Sequence, residues 1–204
     1  MKAVLISIHP KFCELIFNGK KTIEVRCSAP KLQTPFKVYV YMTKNKWIFK
    51  LLPFLKNRFA KVIGSFVCDR VDEFDSEWSE YAYACAPTDI PCAMPMSEEN
   101  AIKICKEKGC MTLEDIIDYF GDEEWRAYFW HVTNLKIYDK PKELSEFYTL
   151  GNCEKYDFCN QCKNFHRGQG WLDGSYCDED SCLDNTRIPV TRPPQSWCYV
   201  EELQ

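Results

Sequence analysis

Three ionisable residues crowd one turn and strand near the start of the chain: Lys21, Glu24 and Arg26, within the string GKKTIEVR at 19–26. Glu24 and Arg26 are two apart in a segment that alternates like a strand, so their side chains share a face. Lys21 reaches over from the preceding turn. A lysine, a carboxylate and a guanidinium held together out of water are unfavourable unless they pair. Pairing orients each member and tunes the lysine or the carboxylate for proton transfer. In a catalytic reading, Lys21 polarises or protonates a phosphate or carbonyl oxygen. Glu24 is then the general base on water or a ribose hydroxyl. Arg26 holds Glu24 or clamps phosphate with its planar fork. The same spacing also suits an ordinary ion-pair ladder on a solvated strand face.

The elements that must position this group follow from pattern. Residues 2–8, KAVLISI, are apolar on both faces and read as a buried strand. Pro10 at a first helical turn and Gly19 past the end bracket a short helix. Phe12, Cys13, Ile16 and Phe17 recur in it at helical spacing. Gly19 permits the tight reversal into the strand at 22–26. Residues 36–43, 62–71, 128–138 and 196–202 read as further strands. Between them, Ser97 opens a helix that Gly109 ends. Thr112 opens another, with Asp115 in a capping-box position, and Gly121 ends it.

Residues 44–61 carry six basic residues and no acid, interleaved with Trp47, Phe49, Phe54 and Phe59. Cations that track a phosphate backbone beside flat rings that stack bases are how single-stranded nucleic acid is held. Lys20, Lys44, Lys46, Trp47, Lys50, Lys56 and Arg58 are the candidate nucleic-acid contacts. The segment equally reads as an amphipathic cover, with Ile48, Leu51, Leu52 and Phe54 buried and the lysines solvated. The charge distribution runs the same way. Residues 1–64 hold thirteen Lys or Arg against two acids, a formal +11, and residues 65–204 carry the compensating −15. That asymmetry suggests a basic face that meets phosphates, or two segments that neutralise each other within the fold.

The chain has 13 cysteines in 204 residues. Cys13, Cys68, Cys105 and Cys198 sit singly in apolar patterns and read as small buried hydrophobes. Cys159 and Cys162 are spaced C-x2-C, and Cys177 and Cys182 C-x4-C, fourteen residues further on. Two such knuckles around a Gly-rich loop fit a tetrahedral, structural zinc site of four thiolates. Cys153 and His166 are spare ligands in the same stretch. A reduced loop or a disulfide is the alternative. Few apolar residues lie there, so metal would supply the order that a core cannot. His131, beside Trp130, reads as a hydrogen-bonded structural histidine.

With 204 residues, 46% apolar and 15% aromatic, the chain can build a core and is not a disordered sequence. No apolar run approaches the roughly 18 residues of a membrane span. The start, MKAVLISIHP, reads as a strand and not as an export signal, so a cytoplasmic location is expected, with thiols reduced or on metal. No Ser-His-Asp pattern, phosphate-binding loop or dinucleotide fingerprint appears.

The string GKKTIEVR matches the G-x-K-x-x-E-x-R signature of the ASCH family, at the expected place after the first helix. The stretches FKVYVYMT, VIGSFVCDRV, WHVTNLKIYDKPKELSEF and PPQSWCYVEE resemble the bacterial and phage members. The resemblance implies a PUA-like barrel with a cleft over the motif. Relatives include RNA-binding modules, apparent ribonucleases, and amidohydrolases that cleave acylated cytidines. In the amidohydrolase branch a lysine, a threonine and a glutamate carry the reaction. The lysine maps onto Lys21, but the threonine position maps onto Glu24. The later glutamate is expected near VIGSFVCDRV, where Ser65, Asp69 and Asp72 stand and no Glu precedes Glu73.

The expectation is therefore an α+β, PUA-like, mostly antiparallel β-barrel with flanking helices. It is a single domain over 1–204, with a helical insertion at 72–127 and a Cys-rich, possible zinc insertion at 151–187. The expected function is nucleic-acid binding, RNA ahead of DNA, at the Lys21/Glu24/Arg26 cleft. One alternative is a hydrolase of RNA or of an N4-acylated cytidine nucleoside at the same cleft. Another is a phage-encoded interaction protein that blocks a host protein, with the inserts as contact surfaces. No membrane partner is expected.

Overall fold

The computed structural model describes residues 1–44, 57–77, 96–121, 124–150 and 187–203, with two further short strands at 165–167 and 175–177. In chain order the elements are β1 (Lys2–Ile8), α1 (Pro10–Phe17), β2 (Ile23–Arg26), β3 (Phe36–Met42), β4 (Lys61–Asp75), α2 (Glu98–Glu107), α3 (Leu113–Phe120), β5 (Arg126–Lys142), β6 (Tyr148–Leu150), β7 (Phe165–Arg167), β8 (Ser175–Cys177), β9 (Arg187–Pro189) and β10 (Trp197–Glu201). Six strands form one sheet in the order β10-β1-β3-β4-β5-β2. Only β1 and β3 pair in parallel; the other four pairings are antiparallel. The parallel pair requires a crossover, and α1 with β2 supplies it.

The class is the α+β one expected, but the sheet is open: β2 and β10 are its two ends. Side chains bridge the gap instead of a ladder. Arg26 Nη2 donates to the Ser7 carbonyl at 2.6 Å, and Trp197 Nε1 donates to Ser28 Oγ at 3.1 Å. The Tyr199 hydroxyl accepts from the Lys31 amide at 2.7 Å.

The strand β1 is buried on both faces, as its sequence demands. Val4, Ile6 and Ile8 join Val38, Val40, Phe66 and Trp130 in one core, with Cys13 and Ile16 of α1 laid over it. Ala3 and Leu5 face the other way, onto Tyr39, Val62, Phe147 and Val190. A third cluster forms on the reverse side of β2. There Ile23, Val25, Phe74 and Phe129 meet Ala101 and Cys105 of α2 and Ile116 of α3.

β4 and β5 are longer than their apolar stretches predict. They pair from Asp75↔Arg126 inward, so residues 72–75 and 126–127 are strand, and the described helices of the stretch between are α2 and α3. The extra pairing is held by charged side chains that read as loop. Arg126 Nε donates to Asp75 at 2.6 Å, and the Tyr128 hydroxyl donates to Glu73 at 2.9 Å. Cross-strand opposite charges and strand-compatible aromatics make such ladders. The helix caps are where the spacing put them. Ser97 Oγ accepts from Asn100 N, and Thr112 with Asp115 forms a reciprocal capping box. Short strand pairs β6–β9 and β7–β8 were not anticipated.

Cys13, Cys68 and Cys105 are buried and Cys198 is half-buried. Burial pushes Cys68 up to about 12, and Cys105 and Cys198 up to about 11; Cys13 also rises. The thiolate is the reactive form. Iodoacetamide at pH 7.5 is therefore expected to label exposed Cys27 on the order of 100-fold faster than Cys13, Cys68 or Cys105 in the native protein. Peptide mapping by mass spectrometry reads this, and comparable labelling of Cys105 would refute the packing of α2 onto β2.

Candidate functional site

β2 carries the site because its alternation splits two jobs. Ile23 and Val25 anchor the strand in the third core, and Glu24 and Arg26 turn to the opposite face. Gly19, with φ +72°, makes the reversal from α1 that delivers Lys21 beside them. The structure thus brings all three motif residues together, and it buries them. Lys21, Glu24 and Arg26 are 3%, 5% and 7% exposed. A solvated ion-pair ladder is excluded by that burial.

Glu24 is the hub. Its Oε1 lies 2.9 Å from Arg26 Nη2, and its Oε2 lies 3.4 Å from Lys21 Nζ. Each cation has a second anchor on a backbone carbonyl. Arg26 donates to Ser7 on β1, and Lys21 Nζ donates to the Gly109 carbonyl at 2.6 Å. Lys21 Nζ also stands 4.9 Å from the centre of the Phe12 ring. Two atoms of the group are buried without a hydrogen bond among the described residues: Arg26 Nε, and Glu24 Oε2, which has only the 3.4 Å ion-pair contact with Lys21. Leaving such atoms unmet costs about 1–3 kcal/mol each, more for charged groups.

These residues form the floor of a cavity of about 470 Å³. Ser7, Ile8, His9, Lys11, Phe12 and Thr43 line one side, and Met111, Asp115, Asp118 and Tyr119 line the other. The second group comes from α3 and the turn before it. The helical insertion is therefore part of the site and not a remote elaboration. It also holds β2 directly: the Lys108 carbonyl accepts from the amides of Thr22 and Ile23 at 3.0 and 3.2 Å. Across the cavity, Lys11 Nζ and Asp115 form an ion pair of 3.2 Å. The Thr112 amide, and then Lys11, hold the Asp115 carboxyl below its ordinary range. Burial, then the Lys11 charge, lower the His9 imidazole, so it is mostly neutral at pH 7. Burial raises the Tyr119 phenol, which stays protonated.

Spacing alone did not disclose Phe12, Thr43, Met111, Asp115, Asp118 or Tyr119 as site residues. The capping box located α3, but no local signal says which strand a helix packs against. Gly109 was read only as a helix terminator, whereas its carbonyl anchors Lys21.

Of the other expected contacts, Lys20 and Lys44 are exposed and Arg58 is half-buried. Lys46, Trp47, Lys50 and Lys56 lie outside the described residues. So do Cys159, Cys162 and Cys182, along with Cys153. Cys177 and His166 are placed only as backbone, in β8 and β7. Among the described residues, no cluster of three or more His, Cys, Asp or Glu side chains could hold a metal ion. His131 has the structural surroundings expected of it. Its Nε2 lies 2.8 Å from Asp72 and 3.0 Å from Arg70 Nη2. No helix among the described residues is long and apolar enough to cross a membrane.

An open, mostly antiparallel α+β sheet with a hollow beside a buried Lys–Glu–Arg group is consistent with a PUA-like fold. The family model of the ASCH domain matches residues 6–151, and the chain belongs to the ASCH domain family. Among solved structures it is similar to the ASCH protein of Zymomonas mobilis. That match has 15% identity, covers 98% of this chain and 88% of that one, and has a TM-score of 0.49. Two mutant forms of the same protein are similar at 16% identity. One covers 98% of this chain and 89% of that chain at a TM-score of 0.48. The other covers 69% and 73% at 0.40. No curated protein matches the chain.

Proposed function

We propose that this ASCH protein binds single-stranded nucleic acid, RNA ahead of DNA, by seating part of the ligand in the cavity over Lys21, Glu24 and Arg26. The observation that carries the reading is the buried Lys21–Glu24–Arg26 group among the lining of an open hollow, with Arg26 Nε left without a hydrogen-bond acceptor among the described residues. Buried charge of this kind is a poor way to stabilise a fold. It is a good way to hold a donor and an acceptor ready for an incoming polar group. Phe12 and Tyr119 add aromatic surface to the cavity lining. Outside it, Lys20 and Lys44 are exposed cations that suit backbone phosphates.

The test is an electrophoretic shift with labelled single-stranded RNA, read for both retention and cleavage. Wild type is expected to bind with salt-dependent affinity. Tyr119→Ala should weaken binding about tenfold, the size of one lost base stack. Lys20→Ala and Lys44→Ala should each lower the salt slope by about 1. Absence of a shift, or a shift indifferent to Tyr119→Ala, overturns the reading. Cleavage in the same lanes, lost in Glu24→Gln, would support the second reading, a hydrolase at this cleft. One observation favours that second reading: a carboxylate, Glu24, is among the residues that line the hollow and is the candidate general base.

A further inference from the structure

The cavity's charged lining describes a different ligand from the one its cations alone suggest. Lys11, Lys21 and Arg26 line it, but so do Glu24, Asp115 and Asp118. Each cation is already engaged. Lys21 is held by Glu24 and the Gly109 carbonyl, Arg26 by Glu24 and the Ser7 carbonyl, and Lys11 by Asp115. A phosphate entering the hollow would have to break one of these pairs to be neutralised. It would also meet Asp118, an exposed carboxylate on the insertion helix.

An uncharged heterocycle faces none of these costs. Glu24 Oε2 has only its 3.4 Å ion-pair contact with Lys21, and Arg26 Nε has no acceptor among the described residues. A ring edge that offers an N–H beside a carbonyl or ring nitrogen suits a lining of such mixed polarity without bringing a net charge to it. The rings of Phe12 and Tyr119 match its faces. Resting on the RNA-binding reading above, we propose that α3 acts as a charge filter. Asp118, with Asp115 occupying Lys11, restricts the cavity to the uncharged base or nucleoside part of the ligand and keeps phosphate outside.

The selectivity lies on the inserted helix and not on the strand that carries the motif. It also divides the labour of binding. The hollow reads the base, and the exposed cations around it meet the backbone.

The experiment compares uridine, cytidine, adenosine and guanosine with their 5′-monophosphates by calorimetry, on wild type and on Asp118→Asn. At least one nucleoside is expected to bind wild type on the order of tenfold tighter than its own monophosphate. That is the size Coulomb repulsion between a dianion and one carboxylate reaches in a partly screened cleft. Asp118→Asn should bring the pair to within about threefold, chiefly by tightening the monophosphate, read as the ratio of the two affinities in the same variant. The exposed position of Asp118 lets the variant fold, and matching melting curves check this. A monophosphate that binds wild type as tightly as its nucleoside overturns the filter. So does a ratio that Asp118→Asn leaves unmoved, and so does the absence of any nucleoside binding in a protein that retains RNA. If RNA itself is not retained, the RNA-binding reading fails first, and the filter falls with it.

Discussion

Replacing Glu24 by alanine is expected to destabilise the protein by about 3–5 kcal/mol, because it strands Lys21 and Arg26 in the interior without their shared counter-ion. Both cations are over nine-tenths buried, and the carboxylate is the charge that pairs with each. For a chain of this length such a loss corresponds to a melting temperature lower by on the order of 10 °C. Urea titration measures it directly. The informative comparison is the triple variant Lys21→Met, Glu24→Leu, Arg26→Met. Removing all three charges together abolishes the desolvation cost, so the triple variant should be more stable than Glu24→Ala alone. It should nevertheless bind no RNA. That combination would separate a group kept for ligand binding from one kept for stability. If Glu24→Ala costs less than about 1 kcal/mol, water already reaches the two cations and the triad is not buried in solution.

Gly109→Ala is the second large effect, and it arises from contact and not from backbone conformation. A methyl group there would stand 2.6 Å from the Cys105 carbonyl oxygen and 3.0 Å from Val25 Cγ2. Neither neighbour is the free end of a flexible chain: one is helix backbone and the other is packed in the third core. Overpacking of this kind costs about 1–3 kcal/mol. The displaced segment also carries the Lys108 and Gly109 carbonyls that hold β2 and Lys21. RNA affinity should therefore fall along with stability. Gly19→Ala provides the contrast. Nothing stands near its Cβ, and the only penalty is a positive φ, which costs roughly 1–2 kcal/mol. If Gly109→Ala melts and binds like wild type, the insertion does not clamp the site as described.

The pH response of the cavity rim follows from Asp115. Its carboxyl is held below the ordinary range, so whatever stability it adds is present above the unfolded carboxylate value. That contribution is lost as pH falls through the lowered folded value. The Lys11–Asp115 pair is half exposed and contributes little to global stability. Acid opens the link between α1 and α3 without unfolding the sheet.

Much of this protein is local, and local features were legible. The alternation of Ile23 to Arg26 sorted anchor from site. Pro10 and Gly19 bounded α1, and the Thr112–Asp115 capping box opened α3. Each depends on contacts within a few residues, and the sequence alone specifies those. The extension of β4 and β5 was missed because its residues are charged. Their partners, such as Asp75 and Arg126, lie some fifty positions apart. Burial of the motif belongs to the same class. Lys21, Glu24 and Arg26 become a sealed triad only when Ser7 and Gly109 arrive with their carbonyls, from residues far away in the chain. The sequence by itself determined that Glu24 and Arg26 would share one face of one strand, with Lys21 in the turn before it, because the strand repeat is fixed. Only the tertiary structure decided that they would lie out of water beside a hollow partly lined by the inserted helix, because burial is a property of what packs around a strand.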